Sequence, residues 1–380
     1  MGWREVSVVD VRREFVMFAQ QEGANVSALC RKCGISRQTG YKWLARAAEA
    51  GETFEDRSRR PLRQSGRTST EIETEILKLR DAHPAWGGRK LAKCLERAGF
   101  AAPAPSTVHA ILRRNGRIGD GRRAHQGPFC RFEHSAPNRL WQMDFKGRLK
   151  MSTGDWCHPL TVLDDHSRFC LCLEACANER GETVKPLLEE AFRRYGLPDA
   201  IYVDNGSPWG TGVPGGWTWL GVWLLKLGIQ VIHGRPYHPQ GRGKIERFHG
   251  TISAEVLSPV LAGGLVDHQI HFAAWRAKYN TVRPHEALEL EVPASRYQPS
   301  ARPFPGTLPE IVYAEGEILR RVGTTKAYVS FQGRLWKVPI AFRGETVAIR
   351  PASKDGHHKI CFGATKIAGI DLTSTAEKET

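Results

Sequence analysis

Apolar positions along the chain change period twice. Near the N-terminus Val26, Leu29, Cys30 and Cys33 recur at three- and four-residue spacing, which predicts a helix. A turn at Gly34 follows, then Ser36 as an N-cap and a second helix carrying Tyr41 and Leu44. A similar unit comes next. Thr70 and Glu73 make a capping box before Ile72, Ile76 and Leu79; "GGRKLAKCLERAG" keeps the helical period; and a turn with Pro103 and Pro105 leads through Ser106, read as a cap, into "TVHAILRRNG". Both units have helix-turn-helix punctuation.

From about Arg139 the period shortens. "NRLWQMDFKG" and then "HPLTVLDDHSRFCLCLEAC", split by the polar turn "DDHSR", predict three consecutive strands with a hairpin. "ETVKPLLEEAFRRYG" predicts an amphipathic helix closed by Gly196, and "PDAIYVDNGSP" a short strand that ends on Asp204 and turns at Asn205-Gly206. In "GRGKIERFHGTISAEVL" the residues Ile245, Phe248, Ile252 and Val256 form the buried stripe of a helix, and Glu246 lies at its border, aligned with Arg242, His249 and Ser253. "HFAAWRAKYNTVRPHEAL" predicts a further helix running into Asn280, Arg283, Pro284 and His285, expected to brace the Glu246 helix. After a Pro-rich stretch, "GEILRRVGTTKAYVSFQGRLWKVPIAFRGETVAIRP" alternates apolar and polar residues between Gly turns, a small β-barrel pattern. Beyond Lys366 a loosely ordered tail is expected.

The order β-β-β-α-β-α, with an acid in the first strand and another ending the fourth, is ribonuclease-H-like. The fold expected is therefore multidomain: all-α N-terminal helix-turn-helix units, an α/β ribonuclease-H-like catalytic core and a small C-terminal β-barrel. The boundaries read as a helix-turn-helix domain at 1–55, an Arg-rich linker at 56–69, a second helix-turn-helix domain at 70–120 and a basic linker at 121–136. The core follows at 137–292, the barrel at 310–352 and the tail at 353–380.

Charge adds a partner. The formal net charge is +15, and residues 1–140 alone carry 26 Lys and Arg against 15 Asp and Glu. Neutralising phosphates releases counterions, so double-stranded DNA is the expected partner. The start of the second helix in a helix-turn-helix enters the major groove, which makes Arg37, Gln38 and Lys42 candidate contacts. "RSRRPLRQSGR" holds five arginines and no acid; Arg57, Arg59, Arg60 and Arg63 are placed to track a backbone or a minor groove. Arg113 and Arg114 open a third basic stretch, "RRNGRIGDGRR". Nine scattered cysteines make no disulfide framework, and the lone CxxC at Cys30 and Cys33 lacks the second pair of a zinc site. A reducing, cytoplasmic setting (bacterial cytosol or nucleoid) is expected. No apolar run approaches the roughly 20 residues of a membrane span.

One residue resists this pattern. In "LWQMDFKG" Asp144 stands among residues that ask for burial, where an unpaired carboxylate costs several kcal/mol. Singly, Asp144, Asp204 and Glu246 read as an ordinary strand, turn and surface acid. In this order and context they read as a site.

At these residues the chain resembles DDE-type insertion-sequence transposases related to retroviral integrases, closest to the IS481-like group. "WQMDF", "VLDDHSRF", "VDNGSPWG", "YHPQGRGKIERFH" and "YNTVRPHEAL" carry the likeness. The resemblance implies that Asp144, Asp204 and Glu246 are the catalytic acids and hold two Mg2+ (or Mn2+) ions, Asp144 between both. Hard cations do select carboxylate oxygens. It implies binding to the terminal inverted repeats of an element, hydrolysis at the 3′ ends, strand transfer to target DNA, and a homo-oligomer of at least two chains.

The chain also departs from the family. The 41 residues between Asp204 and Glu246 are a longer spacer than usual, with the excess placed in "SPWGTGVPGGWTWL", whose tryptophans are candidates to stack on a frayed base. Gly250 and Ser253 stand where relatives carry basic residues, so Arg242, Lys244 and Arg247 are the candidate contacts to the DNA end. Asp165 and His238 are candidate supporting groups behind the acids, Asp164 a turn residue. Two other readings share these features: a non-cutting repressor or adaptor of transposase descent, and a nuclease without strand transfer.

Overall fold

The computed structural model describes residues 7–49, 53–58, 68–119, 133–213, 216–234, 243–257 and 262–373. The chain divides into two compact units, Met1–Arg67 and Thr68–Thr380. In the first, helices α1 (Val8–Ala19), α2 (Val26–Lys32) and α3 (Arg37–Ala47) close on Phe15, Val16, Cys30 and Trp43. Ser36 caps α3 as expected, accepting from Thr39 N at 3.1 Å. Trp43 is the core anchor, held between the Arg12 and Arg46 guanidinium groups. Tyr41 is 57% exposed and shares the outward face with Arg37, Gln38 and Lys42.

The second unit begins with α4 (Thr70–Ala82), α5 (Gly88–Arg97) and α6 (Pro105–Arg114) around Ile76, Trp86, Leu91, Leu95 and Ile111. Two caps differ from expectation. Ser69, not Thr70, accepts from Ile72 N, and Pro105 rather than Ser106 opens α6, its fixed φ suiting a first helical turn. Arg97 ties α5 to the far end of the core, donating to Leu290 O at 2.9 Å and pairing with Glu291 at 3.0 Å.

The core is built on one mixed sheet. Strand β1 (Trp141–Phe145) pairs antiparallel with β3 (Trp156–Asp164) and parallel with β5 (Ala200–Val203), which pairs parallel with β6 (Gln230–His233). On the other side of β3 runs β4 (Cys170–Cys176), and the short β2 (Leu149–Lys150) adds to the start of β3. Helix α7 (Gly181–Tyr195), closed by Gly196 at φ 76°, and α8 (Trp219–Lys226) cover one face with Trp141, Met143, Ile201 and Val203. Helices α9 (Gly243–Glu255) and α10 (Leu265–Thr281) cover the other, where Phe248, Ile252, Phe272, Trp275 and Tyr279 pack on Cys157 and Leu173. The expected order lacked α8 and β6: both lie inside the long spacer between the second Asp and the Glu.

α10 is fastened to the sheet by a side chain that imitates a strand. Asn280 accepts from Cys170 N at 2.8 Å and donates to Cys170 O at 3.0 Å, fully buried. Removing it strands a buried donor and acceptor at roughly 1–3 kcal/mol each. Asn280→Ala should therefore lower the urea midpoint well beyond an exposed control such as Thr281→Ala; equal midpoints would show that the pairing carries no stability.

The C-terminal strands are β7 (Ile318–Arg321), β8 (Tyr328–Phe331), β9 (Arg334–Lys337), β10 (Thr346–Pro351), β11 (His357–Phe362) and β12 (Thr365–Asp371). The barrel expected from the alternation is met only in part: β12-β11-β10-β7 form a four-stranded sheet and β8-β9 a separate hairpin. Strand structure also continues into the region expected as tail, since Ile360, Phe362, Ile367 and Ile370 bury in the common core. Arg320, Arg321, Arg334 and Lys337 are exposed. Among the described residues no helix is long and apolar enough to cross a membrane.

Candidate active site

Strand alternation settles where Asp144 points. Trp141 and Met143 face the α7 side, so Gln142 and Asp144 face α9, and the Asp144 side is half-buried. β1 and β5 run parallel with Trp141 opposite Ile201 and Gln142 opposite Tyr202. The parallel pairing carries both segments the same way, so Asp144 and Asp204 come at the same, C-terminal end of the β1–β5 pair. Asp204 sits just past the end of β5, where its Oδ1 accepts from Gly206 N at 3.0 Å. Asn205 Nδ2 donates to Gly234 O at 2.8 Å and holds this turn against the end of β6. Glycine at 206 is what keeps the space beside the acid open: a Cβ there would stand 3.3 Å from the Asp204 carboxylate.

Glu246 enters from the helix. Its neighbours Ile245 and Phe248 are 1% and 3% exposed, fixing the rotation of α9 against β1 and leaving Glu246 on the exposed border. One turn on, His249 Nε2 lies 2.8 Å from Thr161 Oγ1, and Thr161 Oγ1 donates to Asp144 O at 2.8 Å. A carbonyl only accepts and a hydroxyl has one hydrogen, so Thr161 must accept from His249 Nε2–H. The Glu246 helix is thus hydrogen-bonded, through one threonine opposite Asp144 in the β1–β3 ladder, to the peptide of Asp144 itself. His249 was visible in the sequence only as a residue aligned with Glu246; nothing there shows its partner.

The "DDHSR" turn is structural. Asp164 is fully buried and accepts from Asn138 N, Ser167 N and Ser167 Oγ at 2.6–2.8 Å. Burial pushes its carboxyl above the usual aspartate range, while those hydrogen bonds work the other way. Asp165 is buried too and meets Lys244, the residue expected at the DNA end. The Lys244 ammonium is drawn into this contact, and burial draws it below the ordinary lysine range.

Arg247 is exposed beside Glu246, and Arg37, Gln38 and Lys42 share the outward face of α3. Arg57 pairs with Glu49 and Arg114 with Glu73, while Arg113 lies exposed on α6. Arg59, Arg60, Arg63, Arg242 and His238 lie outside the described residues. The tryptophans expected to stack on a base do not share that role. Trp209 is 3% exposed and stacks on Phe145 next to Asp144, and Trp217 packs on Phe342, so both belong to the core. Trp219 alone of the three is exposed.

Among the described residues no three His, Cys, Asp or Glu side chains already converge on a point where a metal ion could sit. The donor set nonetheless fits a hard divalent cation. Asp144 and Asp204 offer carboxylate oxygens at the same end of two paired strands, and α9, which carries Glu246, packs against β1.

Comparison with known proteins agrees with this layout. Two models described as "Integrase core domain" match residues 134–239 and 227–293. A "Helix-turn-helix domain" matches 11–61, a "Homeodomain-like domain" 39–112, and an "IS481 family transposase, C-terminal domain" 319–378. The 31.7 kDa protein of insertion element IS407 from Burkholderia multivorans is 29% identical over 227 residues, 59% of this chain and 79% of its own. The 39.2 kDa protein of IS476 from Xanthomonas euvesicatoria is 31% identical over 161 residues, 42% of this chain and 44% of its own. Among solved structures, the simian T-cell lymphotropic virus intasome aligns at 16% identity and TM-score 0.38, over 76% of this chain and 96% of that one. The HTLV-2 integrase catalytic core with magnesium aligns at 17% and 0.34, over 43% and 99%. With helix-turn-helix units ahead of an integrase core and an IS481-type C-terminal domain behind it, the chain is similar to IS481-like insertion-sequence transposases.

Proposed function

We propose that this protein is a DNA transposase that binds the terminal inverted repeats of its element, cleaves the 3′ ends by metal-dependent hydrolysis and joins them to target DNA. The observation that carries the reading is that Asp144 and Asp204 come at the same end of two paired parallel strands, with the Glu246 helix hydrogen-bonded to the Asp144 strand. Asp144, Asp204 and Glu246 would hold two Mg2+ or Mn2+ ions through their carboxylate oxygens. When bound, such a pair lowers the pKa of the attacking group and offsets charge on the phosphate and leaving oxygen.

The chain supplies position. β1 and the end of β5 are rigid, and α9 is pinned by His249, so the three carboxylates meet the scissile phosphate in a fixed arrangement. Water is the first nucleophile; the 3′-hydroxyl it frees is the second, so no covalent enzyme intermediate is needed. The two helical units grip double-stranded DNA, with Arg37, Gln38 and Lys42 on α3 and Arg113 on α6 as contacts, alongside Arg57, Arg59, Arg60, Arg63, Arg114, Arg242 and Arg247. Pairing two ends requires at least a dimer, working in the bacterial cytosol or nucleoid.

Incubation with Mg2+ and a duplex carrying the inverted repeats that flank the gene should yield nicks at the 3′ ends and then joined products. Binding without nicking would leave the repressor or adaptor reading; nicks without joined products, on any duplex, would leave a nuclease.

A further inference from the structure

The start of α9 is held by a second tie, separate from His249. Lys244 Nζ lies 2.5 Å from Asp165 Oδ2 and 3.3 Å from the Asp165 carbonyl oxygen, with the two side chains 19% and 2% exposed. The same carboxylate accepts from Gln142 Nε2 at 2.9 Å on Oδ1 and from His134 N at 3.0 Å on Oδ2. One buried acid therefore joins three segments: the first turn of α9, strand β1 two residues before Asp144, and the chain as it enters the core. Gly243, the first residue of α9, has no side chain with which to anchor that turn.

The surrounding charges close the arrangement. Arg168, 6% exposed, faces Asp165 and pairs with Glu133 at 3.2 Å, and Glu133 also meets Arg296 at 3.4 Å and His166 at 3.5 Å. A lysine drawn into this network is committed to it. A phosphate contact needs an ammonium that presents to solvent, as Arg247 does and Lys244 does not.

We propose that Lys244 and Asp165 form a positioning pair that fixes the first turn of α9, and with it the reach of Glu246 toward Asp144, and that Lys244 does not contact DNA phosphate. The proposal rests on the transposase reading for the role of Glu246, but the pair itself has consequences that do not depend on cleavage.

The test compares Lys244→Met, Asp165→Asn, the double variant and Lys244→Arg in the full chain. Groups that orient metal-holding side chains typically change metal affinity or activity by about 10–100-fold. Each of the first two single variants should raise the Mg2+ concentration needed for half-maximal cleavage by about that factor. The double variant should do no worse than either single, because residues acting as one pair are not additive. Lys244→Arg, which keeps the charge, should stay within a few-fold of the parent.

Two readouts separate the possibilities. Amide hydrogen exchange over residues 243–249 should speed up in Lys244→Met and Asp165→Asn alike. Affinity for end DNA should keep its salt dependence, whereas loss of a phosphate contact would reduce the slope of log K against log salt by about one. A reduced slope with unchanged exchange and unchanged Mg2+ requirement would overturn the pair as a positioning device while leaving the transposase reading intact. If the parent chain itself makes no cut, that reading fails, and the exchange measurement still decides whether Lys244 and Asp165 fix the helix. Should Lys244→Met not fold, Asp165→Asn and the double variant carry the same comparison.

Discussion

Asp144→Asn should abolish strand cleavage, by on the order of 10²–10³-fold or more, while binding to element-end DNA stays within about twofold of the parent. The substitution is nearly isosteric, and the hydrogen bond that Asp144 O accepts from Thr161 is a backbone one, so the link to His249 survives it. What is lost is the negative charge of the Asp144 carboxylate. Because an amide holds a divalent cation far less well than a carboxylate, a second effect follows. Mg2+ should raise the melting temperature of the parent protein by mass action and do so much less for the variant. A variant that cuts at the parent rate, or one whose binding falls along with its cutting, would remove Asp144 from the chemistry. Asp164→Asn is the informative control. Asp164 accepts three hydrogen bonds in the turn, so its loss should appear as lower stability rather than as a changed metal requirement.

How much of this was legible in the sequence depends on the range of the interaction. The helical period alone puts Glu246 on the border of its helix beside His249, because that geometry is local. It is silent on Thr161, the partner that makes the alignment useful, which lies 88 positions away. Likewise the acids at 144 and 204 are legible as a strand acid and a turn acid. That they come to the same end of neighbouring strands depends on the parallel pairing of β1 and β5, which is set by packing across an intervening helix and hairpin. α8 escaped because "WLGVWLLK" is apolar on nearly every side and shows no period, as expected for a helix buried all round. β6 escaped because four residues are too few for an alternation to register. The sequence also leaves open which of Tyr41 and Trp43 faces in: both are large and aromatic and two positions apart, and only the packing of α1 against α3 decides it. Lys244 shows the same limit: its place two residues before Glu246 suggests a phosphate contact, while its partner Asp165, 79 positions away, is not legible in the sequence.

The bracing of α9 from its far end should produce the largest loss of stability. Glu255, the last residue of α9, accepts from Arg283 Nε at 2.8 Å and from Trp275 Nε1 at 3.0 Å, and both charged side chains are only 8% exposed. The guanidinium also stands 5.6 Å from the Tyr279 ring, whose hydroxyl burial holds well above the usual tyrosine range. Glu255→Ala leaves a cation buried without its counter-charge, which typically costs about 3–5 kcal/mol, more than the pair itself contributes. Replacing both partners, as Glu255→Leu with Arg283→Met, removes the desolvated charges together and should recover most of the loss. Urea unfolding monitored by circular dichroism measures both. A single variant costing under about 1 kcal/mol, within the range of an exposed ion pair, would show that solvent reaches the site and that the bridge is no brace. A double variant as unstable as the single would place the loss in packing rather than in charge. Recovery of stability without recovery of cleavage is the expected result for the double variant. Apolar side chains can fill the space between α9 and α10, but they do not fix the angle at which α9 carries Glu246 over β1 as a hydrogen-bonded pair does.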